Sequence, residues 1–199
     1  MSILVTKEAP DFTASAVMLD GSIKENFKLS DLRGQYVVLF FYPLDFTFVC
    51  PTEIIAHNQR IDEFKKRNVQ VVGVSIDSQF THAAWRNTAP EKGGIGPIQF
   101  PLVADLKHTI TQAYGVEHPA SIALRASFLI DKSGVVQHQV VNNLPLGRNV
   151  DEMLRMVDAL QFSEQSGEVC PAGWQKGKTG MKPTAKGVAE YLKDNATNL

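Results

Sequence analysis

The sequence predicts a mixed α/β fold, and three observations support this expectation. A continuous apolar run at residues 36–42 is too short for a free-standing helix and is typical of a strand covered on both faces, and residues 69–76 show a second buried-strand pattern. Each run is followed by a stretch in which apolar residues recur at helical spacing. Two further apolar segments, 126–131 and 135–141, are separated by a short turn that fits an antiparallel hairpin. Together these features indicate a central mixed sheet flanked by helices.

The other elements follow from local signals along the chain. Asp20-Gly21 predicts a hairpin turn in the entry segment. Pro51 suits the first turn of a helix whose apolar positions continue to Phe64. Asp77-Ser78 can cap the next helix. We also expect a strand at 102–104 and helices at 79–87, 107–114 and 149–162.

Length and composition predict one folded domain with a tail. A chain of 199 residues with 44% hydrophobic residues can bury one substantial core. We place this domain at residues 1–162. Residues 163–199 then form a C-terminal extension of irregular chain that ends in a short docking helix.

Charge and hydropathy favour a cytoplasmic protein. With a formal net charge of -1, the chain lacks the excess of positive charge that attracts nucleic acid or an anionic membrane, so neither partner is expected. The N-terminal segment lacks a basic stretch followed by an apolar one, and no apolar run approaches the roughly 20 residues that span a bilayer.

Cys50 is the first candidate for chemistry because it lies at the predicted mouth of a helix. There the helix dipole and the unpaired N–H groups favour a thiolate over a thiol. A second cysteine three residues on would make a local dithiol, but Glu53 occupies that position. A redox partner is therefore Cys170 or a thiol on another molecule. The alternative is that Cys50 is only a small buried hydrophobic residue.

The histidines do not predict a metal centre. They have no ligand-like spacing with one another or with the two cysteines, so a metal is not expected. The five are His57, His82, His108, His118 and His138. Separately, no cofactor is expected.

A family resemblance is carried by several motifs. The segment 43–50, PLDFTFVC, resembles the PxxxTxxC motif of peroxiredoxins, and Val169-Cys170-Pro171 is similar to the resolving-cysteine motif of their typical two-cysteine branch. That branch includes the alkyl hydroperoxide reductase C component and the thioredoxin-dependent peroxidases. Arg125, the GGIG at 93–96 and the LPLGR at 144–148 fit further recurring positions. The resemblance covers essentially the whole chain and implies a thioredoxin-like fold.

The same resemblance implies a function. The chain is expected to be an antioxidant, thiol-dependent peroxidase that reduces hydrogen peroxide and small organic hydroperoxides. Cys50 is implied to be the peroxidatic residue that becomes a sulfenic acid. Cys170 is implied to be the resolving residue that forms a disulfide with Cys50 of another subunit. A thioredoxin or a dedicated flavoprotein disulfide reductase is expected to reduce this disulfide, and the subunits are expected to form homodimers and a decamer of five dimers.

The residue types suit these implied roles. A threonine hydroxyl such as that of Thr47 can hold a peroxide oxygen, and Pro43 can cover the sulfur without adding a donor. The permanent charge of Arg125 favours the thiolate. Resemblance also implies that Glu53 and Arg148 orient Arg125. For both arginines the alternative is a surface salt bridge.

Two other functions remain open from the residues alone. A ring-forming holdase chaperone uses none of the thiol chemistry and predicts that Cys50→Ser leaves its activity intact. A protein thiol-disulfide oxidoreductase uses Cys50 but gains little from Thr47, and it normally carries a second cysteine at position 53. Stopped-flow consumption of hydrogen peroxide separates these three classes.

Overall fold

The computed structural model describes residues 3–198. The chain divides into two compact units, Met1–Val150 and Asp151–Leu199. This division assigns the long helix that begins at Val150 to the second unit, whereas the boundary predicted after residue 162 assigns it to the first.

The first unit contains nine strands and four α-helices among its described residues. In chain order they are β1 Thr13–Val17, β2 Ile23–Lys28, β3 Tyr36–Phe41, α1 Cys50–Gln59, α2 Ile61–Lys66, β4 Val69–Ser75, α3 Gln79–Arg86, β5 Leu102–Ala104, α4 Thr109–Ala113, β6 Glu117–His118, β7 Ile122–Ala123, β8 Arg125–Ile130 and β9 Val136–Asn142. Short 3-10 helices occur at Leu29–Leu32 and Pro90–Lys92.

Seven of these strands form one mixed sheet in the order β2-β1-β5-β4-β3-β8-β9. The central pairs β3–β4 and β4–β5 are parallel, whereas β3–β8 and β8–β9 are antiparallel. The hairpins predicted around Asp20-Gly21 and after β8 are both present. The prediction of a mixed sheet with an antiparallel edge is therefore confirmed.

Strand β3 is buried along its whole length because both faces of the sheet are covered. On one face the ring of Phe41 contacts the rings of Tyr114 and Phe128, at centroid distances of 5.1 and 5.9 Å. On the other face Phe40 stacks on His57 of α1 at 4.3 Å. Alternate residues of one strand thus anchor opposite layers of the core.

Three predicted helices differ from the observed ones at their ends. The single helix expected to run to Phe64 is interrupted at Arg60, whose backbone has φ -105 and ψ 9, and so gives α1 and α2. Helix α4 begins only at Thr109 because His108 has a left-handed backbone with φ 58. The helix predicted to end at 162 continues to Ser166.

The second unit contains α5 Val150–Ser166, α6 Ala185–Asn195 and a closing 3-10 turn, Ala196–Asn198. The short terminal helix predicted from the sequence is α6, and the Thr184 hydroxyl caps it by accepting from the N–H of Gly187. Within residues 3–198, no helix is both long enough and apolar enough to cross a membrane.

Candidate active site

The structure places Cys50 at the mouth of a helix, as the sequence predicts. Residues 42–49 lead from the end of β3 to α1, and Cys50 is the first, fully buried residue of that helix. Pro51 follows, and no side chain caps the helix at Val49. The positive end of the helix dipole therefore acts on the sulfur without competition from a capping oxygen.

Arg125 reaches the sulfur because β8 runs antiparallel to β3. The first residue of β8 consequently lies beside the point where β3 ends. Its guanidinium Nη1 donates to Cys50 Sγ at 3.4 Å and to Glu53 Oε2 at 2.9 Å, and its Nε donates to the carbonyl of Leu144 at 2.6 Å. A permanent cation is thus fixed against the thiol by two further acceptors.

Glu53 lies one helical turn after Cys50 and accepts from both arginines. Its Oε1 accepts from the backbone N–H and the Nε of Arg148, each at 2.8 Å, and its Oε2 accepts from Arg148 Nη2 at 2.8 Å. Burial by itself raises the pKa of Glu53, but the hydrogen bonds and charge of Arg148, with the charge of Arg125, hold this pKa below its ordinary value.

The balance of charge in this cluster favours an anionic sulfur. Arg125 and Arg148 contribute two positive charges and Glu53 one negative charge, which leaves a net charge of one positive in a buried site. A thiolate on Cys50 neutralises the cluster, whereas a thiol leaves the excess charge uncompensated.

Arg148 is held as firmly as Arg125. Its Nη1 donates to the carbonyl of Ala126 at 2.5 Å and to Ser127 Oγ at 3.1 Å, and its guanidinium carbon lies 5.3 Å from the centre of the Phe40 ring. The side chains of Arg125 and Arg148 are 5% and 4% exposed. The surface salt-bridge alternative is therefore wrong for both arginines.

Thr47 and Pro43 lie in the loop that precedes Cys50. The Thr47 hydroxyl donates to the carbonyl of Leu44 at 2.8 Å, so its oxygen lone pairs remain available to accept a hydrogen bond from another group. Pro43 is buried at the start of the loop. Phe46 adopts a left-handed backbone with φ 51, which is uncommon for a bulky residue and is typical of functional loops.

A buried polar network that the sequence analysis did not single out anchors this loop. Asp45 Oδ1 accepts from the Tyr42 hydroxyl at 2.8 Å, and Asp45 Oδ2 lies 2.7 Å from His82 Nδ1. The backbone N–H of Asp45 donates to Asp77 Oδ2 at 2.9 Å. Burial raises the pKa of Asp45, although the contacts with His82 oppose that effect. The available signal is an acidic residue in the apolar segment 42–46 that follows the fully apolar strand β3.

His57, also on α1, occupies an aromatic environment. Its ring stacks on Phe40 with an interplanar angle of 5° and lies 6.2 Å from Phe64 and 6.4 Å from Phe100. Nδ1 donates to the carbonyl of Glu53 at 2.7 Å. Burial and the positive charge of Arg148 lower the pKa of His57 to about 4.

We expect His57 to make the fold less stable in acid. Its pKa is about 4 in the fold against an ordinary 6.5, so the unfolded chain binds an extra proton between these values. Stability present at pH 7 is lost as the pH falls through 6.5 toward 4, by roughly 3 kcal/mol in total. The variant His57→Phe should lack this component. Urea unfolding of both proteins between pH 4.5 and 7.5 measures the difference.

The comparison with His57→Phe is needed because Arg148, Arg60 and Glu53 also affect the pKa of His57. These groups are present in both proteins, so the difference between the two curves isolates residue 57. At pH 7 the two proteins should agree within about 1 kcal/mol, since only one hydrogen bond is lost. If the free energy of unfolding changed with pH in the same way in both proteins between pH 4.5 and 7.5, the prediction would be wrong.

Cys170, in the second unit, is a free thiol like Cys50. It donates to the carbonyl of Ala159 at 3.4 Å, and burial raises its pKa against the charge of Arg155. Over residues 3–198 there is no group of three or more His, Cys, Asp or Glu side chains that could hold a metal ion.

Comparisons with known proteins identify the family of the chain. The AhpC/TSA family matches residues 5–139, and the C-terminal domain of 1-Cys peroxiredoxin matches residues 159–194. The alkyl hydroperoxide reductase C of Helicobacter pylori strain J99 is 58% identical over 99% of this chain and 100% of that protein. The corresponding protein of Buchnera aphidicola from Schizaphis graminum is 58% identical over 96% of this chain and 97% of its own length.

A solved structure agrees over nearly the whole chain. The reduced 2-Cys peroxiredoxin of Plasmodium vivax superposes with a TM-score of 0.94 and 52% identity, and the match covers 96% of this chain and 100% of that one. The predicted thioredoxin-like α/β fold is therefore confirmed. On these grounds the chain belongs to the AhpC/TSA family and is a peroxiredoxin, an oxidoreductase that reduces peroxides through a thiol.

Proposed function

We propose that Cys50 is the peroxidatic residue and that Pro43, Thr47 and Arg125 complete its site, with Glu53 and Arg148 orienting Arg125. The observation that carries this assignment is the buried Sγ of Cys50, which accepts from the fixed guanidinium of Arg125 at 3.4 Å. A sulfur held as an anion at a helix mouth is the nucleophile that a peroxide bond requires.

The first step is an in-line displacement. The thiolate of Cys50 attacks one peroxide oxygen, an S–O bond forms and the O–O bond breaks. The second oxygen leaves as hydroxide or alkoxide and takes up a proton to give water or an alcohol. Thr47 Oγ1 accepts from the peroxide O–H, because its own proton is committed to Leu44, and Arg125 donates to the oxygen that gains negative charge.

Thr47→Val tests the first of these contacts. The two side chains have nearly the same shape, so we expect the fold to be retained. We expect the rate constant of the peroxide reaction to fall by roughly 10²-fold, the scale of losing one positioned polar group. Stopped-flow kinetics with hydrogen peroxide measures it, and Thr47→Ser, which keeps the hydroxyl, is the matched control. An unchanged rate in Thr47→Val would remove the residue from the site.

Cys170 is the resolving residue in this proposal. Its thiolate attacks the sulfenic sulfur of Cys50 in another subunit, so that an S–S bond forms and an S–O bond breaks. The oxygen leaves as hydroxide and ends as water. After one equivalent of peroxide, non-reducing gel electrophoresis should show a covalent dimer. A persistent monomer with both thiols free would overturn the mechanism.

A dithiol protein then restores the enzyme, either a thioredoxin or a dedicated flavoprotein disulfide reductase, and the cytoplasm is the compartment that supplies such reductants. Coupled assays with each reductant distinguish the two.

We further propose homodimers and a decamer of five dimers. Large apolar side chains exposed on the first unit support association, with exposures of 50% at Phe46, 68% at Phe80 and 59% at Leu106.

A further inference from the structure

The peptide unit between Leu44 and Asp45 is hydrogen-bonded at both of its ends. Its carbonyl accepts from the Thr47 hydroxyl at 2.8 Å, and its N–H donates to Asp77 Oδ2 at 2.9 Å. A peptide unit is planar because its C–N bond has partial double-bond character. Any rotation that moves the N–H therefore moves the carbonyl as well. The contacts with Asp77 and with Thr47 are thus coupled through one rigid group.

The carboxylate of Asp77 is itself held in place by the sheet. Asp77 lies between the end of β4 and the start of α3. Its Oδ2 accepts from Ser75 Oγ at 2.6 Å, and its backbone N–H donates to the same Oγ at 3.2 Å. Ser75 is the last residue of β4 and is fully buried. The acceptor that binds the peptide unit is therefore fixed from outside the loop that contains this unit.

The loop needs such an external contact because its backbone is strained. Phe46 follows the peptide unit directly and has φ 51, a left-handed conformation that a bulky residue keeps only where its surroundings determine it. The side chain of Asp45 contributes by binding Tyr42 and His82. Its N–H, bound to Asp77, is the contact that acts on the peptide plane itself.

We propose that Asp77 is a positioning residue for Thr47: it fixes the peptide unit that precedes Asp45, and this keeps the carbonyl of that unit bound to the threonine hydroxyl. This inference rests on the proposed role of Thr47, whose oxygen accepts from the peroxide O–H. A hydroxyl oxygen presents a lone pair in a fixed direction when its own proton is bound elsewhere. The carboxylate also polarises the peptide unit, since hydrogen bonds in a chain strengthen one another. Without Asp77, the Thr47 hydroxyl can turn and present its proton to the peroxide instead.

The first experiment measures the rate constant of the hydrogen peroxide reaction by stopped flow. Asp77→Ala should lower it by roughly tenfold, the scale of one hydrogen bond to a charged group. Asp77→Asn keeps an acceptor oxygen and should restore the rate to within about threefold, since a neutral hydrogen bond has roughly half the strength of a charge-assisted one. Asp131→Ala is the matched control, because Asp131 Oδ1 also accepts backbone N–H groups, those of Ser133 and Val135, in a turn outside the site. It should leave the rate unchanged.

A double-mutant cycle with Thr47→Val separates positioning from a general loss of order in the loop. In that background Asp77→Ala should lower the rate by less than about twofold, because the hydroxyl on which Asp77 acts is absent. The smaller effect of Asp77→Asn, a variant of nearly the same shape, should also disappear there. In a Cys170→Ser background, the midpoint of the pH profile for alkylation of Cys50 by iodoacetamide should be the same with and without Asp77→Ala, since the groups that contact the sulfur are unchanged.

The outcomes distinguish this inference from the function on which it rests. An unchanged rate in Asp77→Ala, or a loss of the same size with and without Thr47→Val, would overturn the inference alone. A moved alkylation midpoint would also overturn it, because Asp77 would then act on the sulfur and not on Thr47. An unchanged rate in Thr47→Val by itself would instead overturn the proposed role of Thr47, and the inference with it.

Discussion

Replacing Cys50 by serine is expected to lower peroxide turnover by more than about 10³-fold, because a neutral hydroxyl cannot replace a thiolate as the attacking group. Cys170→Ser should behave differently. It should still consume about one peroxide per subunit in a single turnover and should retain slow turnover with a small thiol, since only resolution is lost. Rapid-mixing measurement of peroxide loss, followed by intact mass, reports both outcomes.

The two variants control for each other because each replaces one sulfur by one oxygen. Cys50→Ser should show no added mass after peroxide, whereas Cys170→Ser should gain oxygen at Cys50 alone. If both variants lost the single-turnover reaction to the same degree, the separate roles proposed for Cys50 and Cys170 would be wrong.

Glu53→Gln is expected to have the largest effect on stability. The carboxylate accepts four hydrogen bonds from Arg125 and Arg148, and its loss leaves these two buried cations facing a single anion, the Cys50 thiolate. Breaking a buried ion pair by removing one partner costs about 3–5 kcal/mol. The free energy of unfolding in urea should fall by that amount, and the rate of the peroxide reaction should fall by roughly 10²-fold because Arg125 loses its fixed orientation.

Glu63→Gln is the matched control for this prediction. Glu63 also binds two cations, with its carboxylate 2.6 Å from Lys66 Nζ and 2.9 Å from Arg67 Nη1, but its side chain is 45% exposed. Exposed pairs of this kind contribute at most about 1 kcal/mol. Equal destabilisation by the two substitutions would show that the buried charge cluster does not have the importance we assign to it.

Much of this architecture follows from local pattern. The run at β3 is apolar throughout, and a strand buried on both faces is the structure that such a run predicts. The location of Cys50 is predicted equally directly, because Pro51 marks the first turn of a helix and the residue before it therefore lies at the N-terminal end of that helix. These features depend on residues that are adjacent in the sequence, so the sequence alone predicts them.

Contacts between residues that are far apart in the sequence cannot be predicted from local pattern. Glu53 and Arg148 were assigned to one another only through family resemblance, because nothing local brings position 148 to position 53. Sheet order does so in two steps, because β8 lies beside β3 and Arg148, which follows β9, donates to the carbonyl of Ala126 on β8. The burial of His57 and the contact between Asp45 and His82 are not predicted from the sequence for the same reason. Whether a histidine is buried among aromatic rings or faces water depends on which helix covers which strand.

The break at Arg60 limits how far an unwinding of α1 can extend. Helix α1 has ten residues, fewer than an isolated helix needs in water, so its order depends on packing and not on its own hydrogen bonds. Arg60 interrupts the ladder between α1 and α2, and Ile61 and Phe64 hold α2 independently in buried positions. An unwinding of α1 that begins at Cys50 therefore ends at Arg60, and α2 keeps its structure.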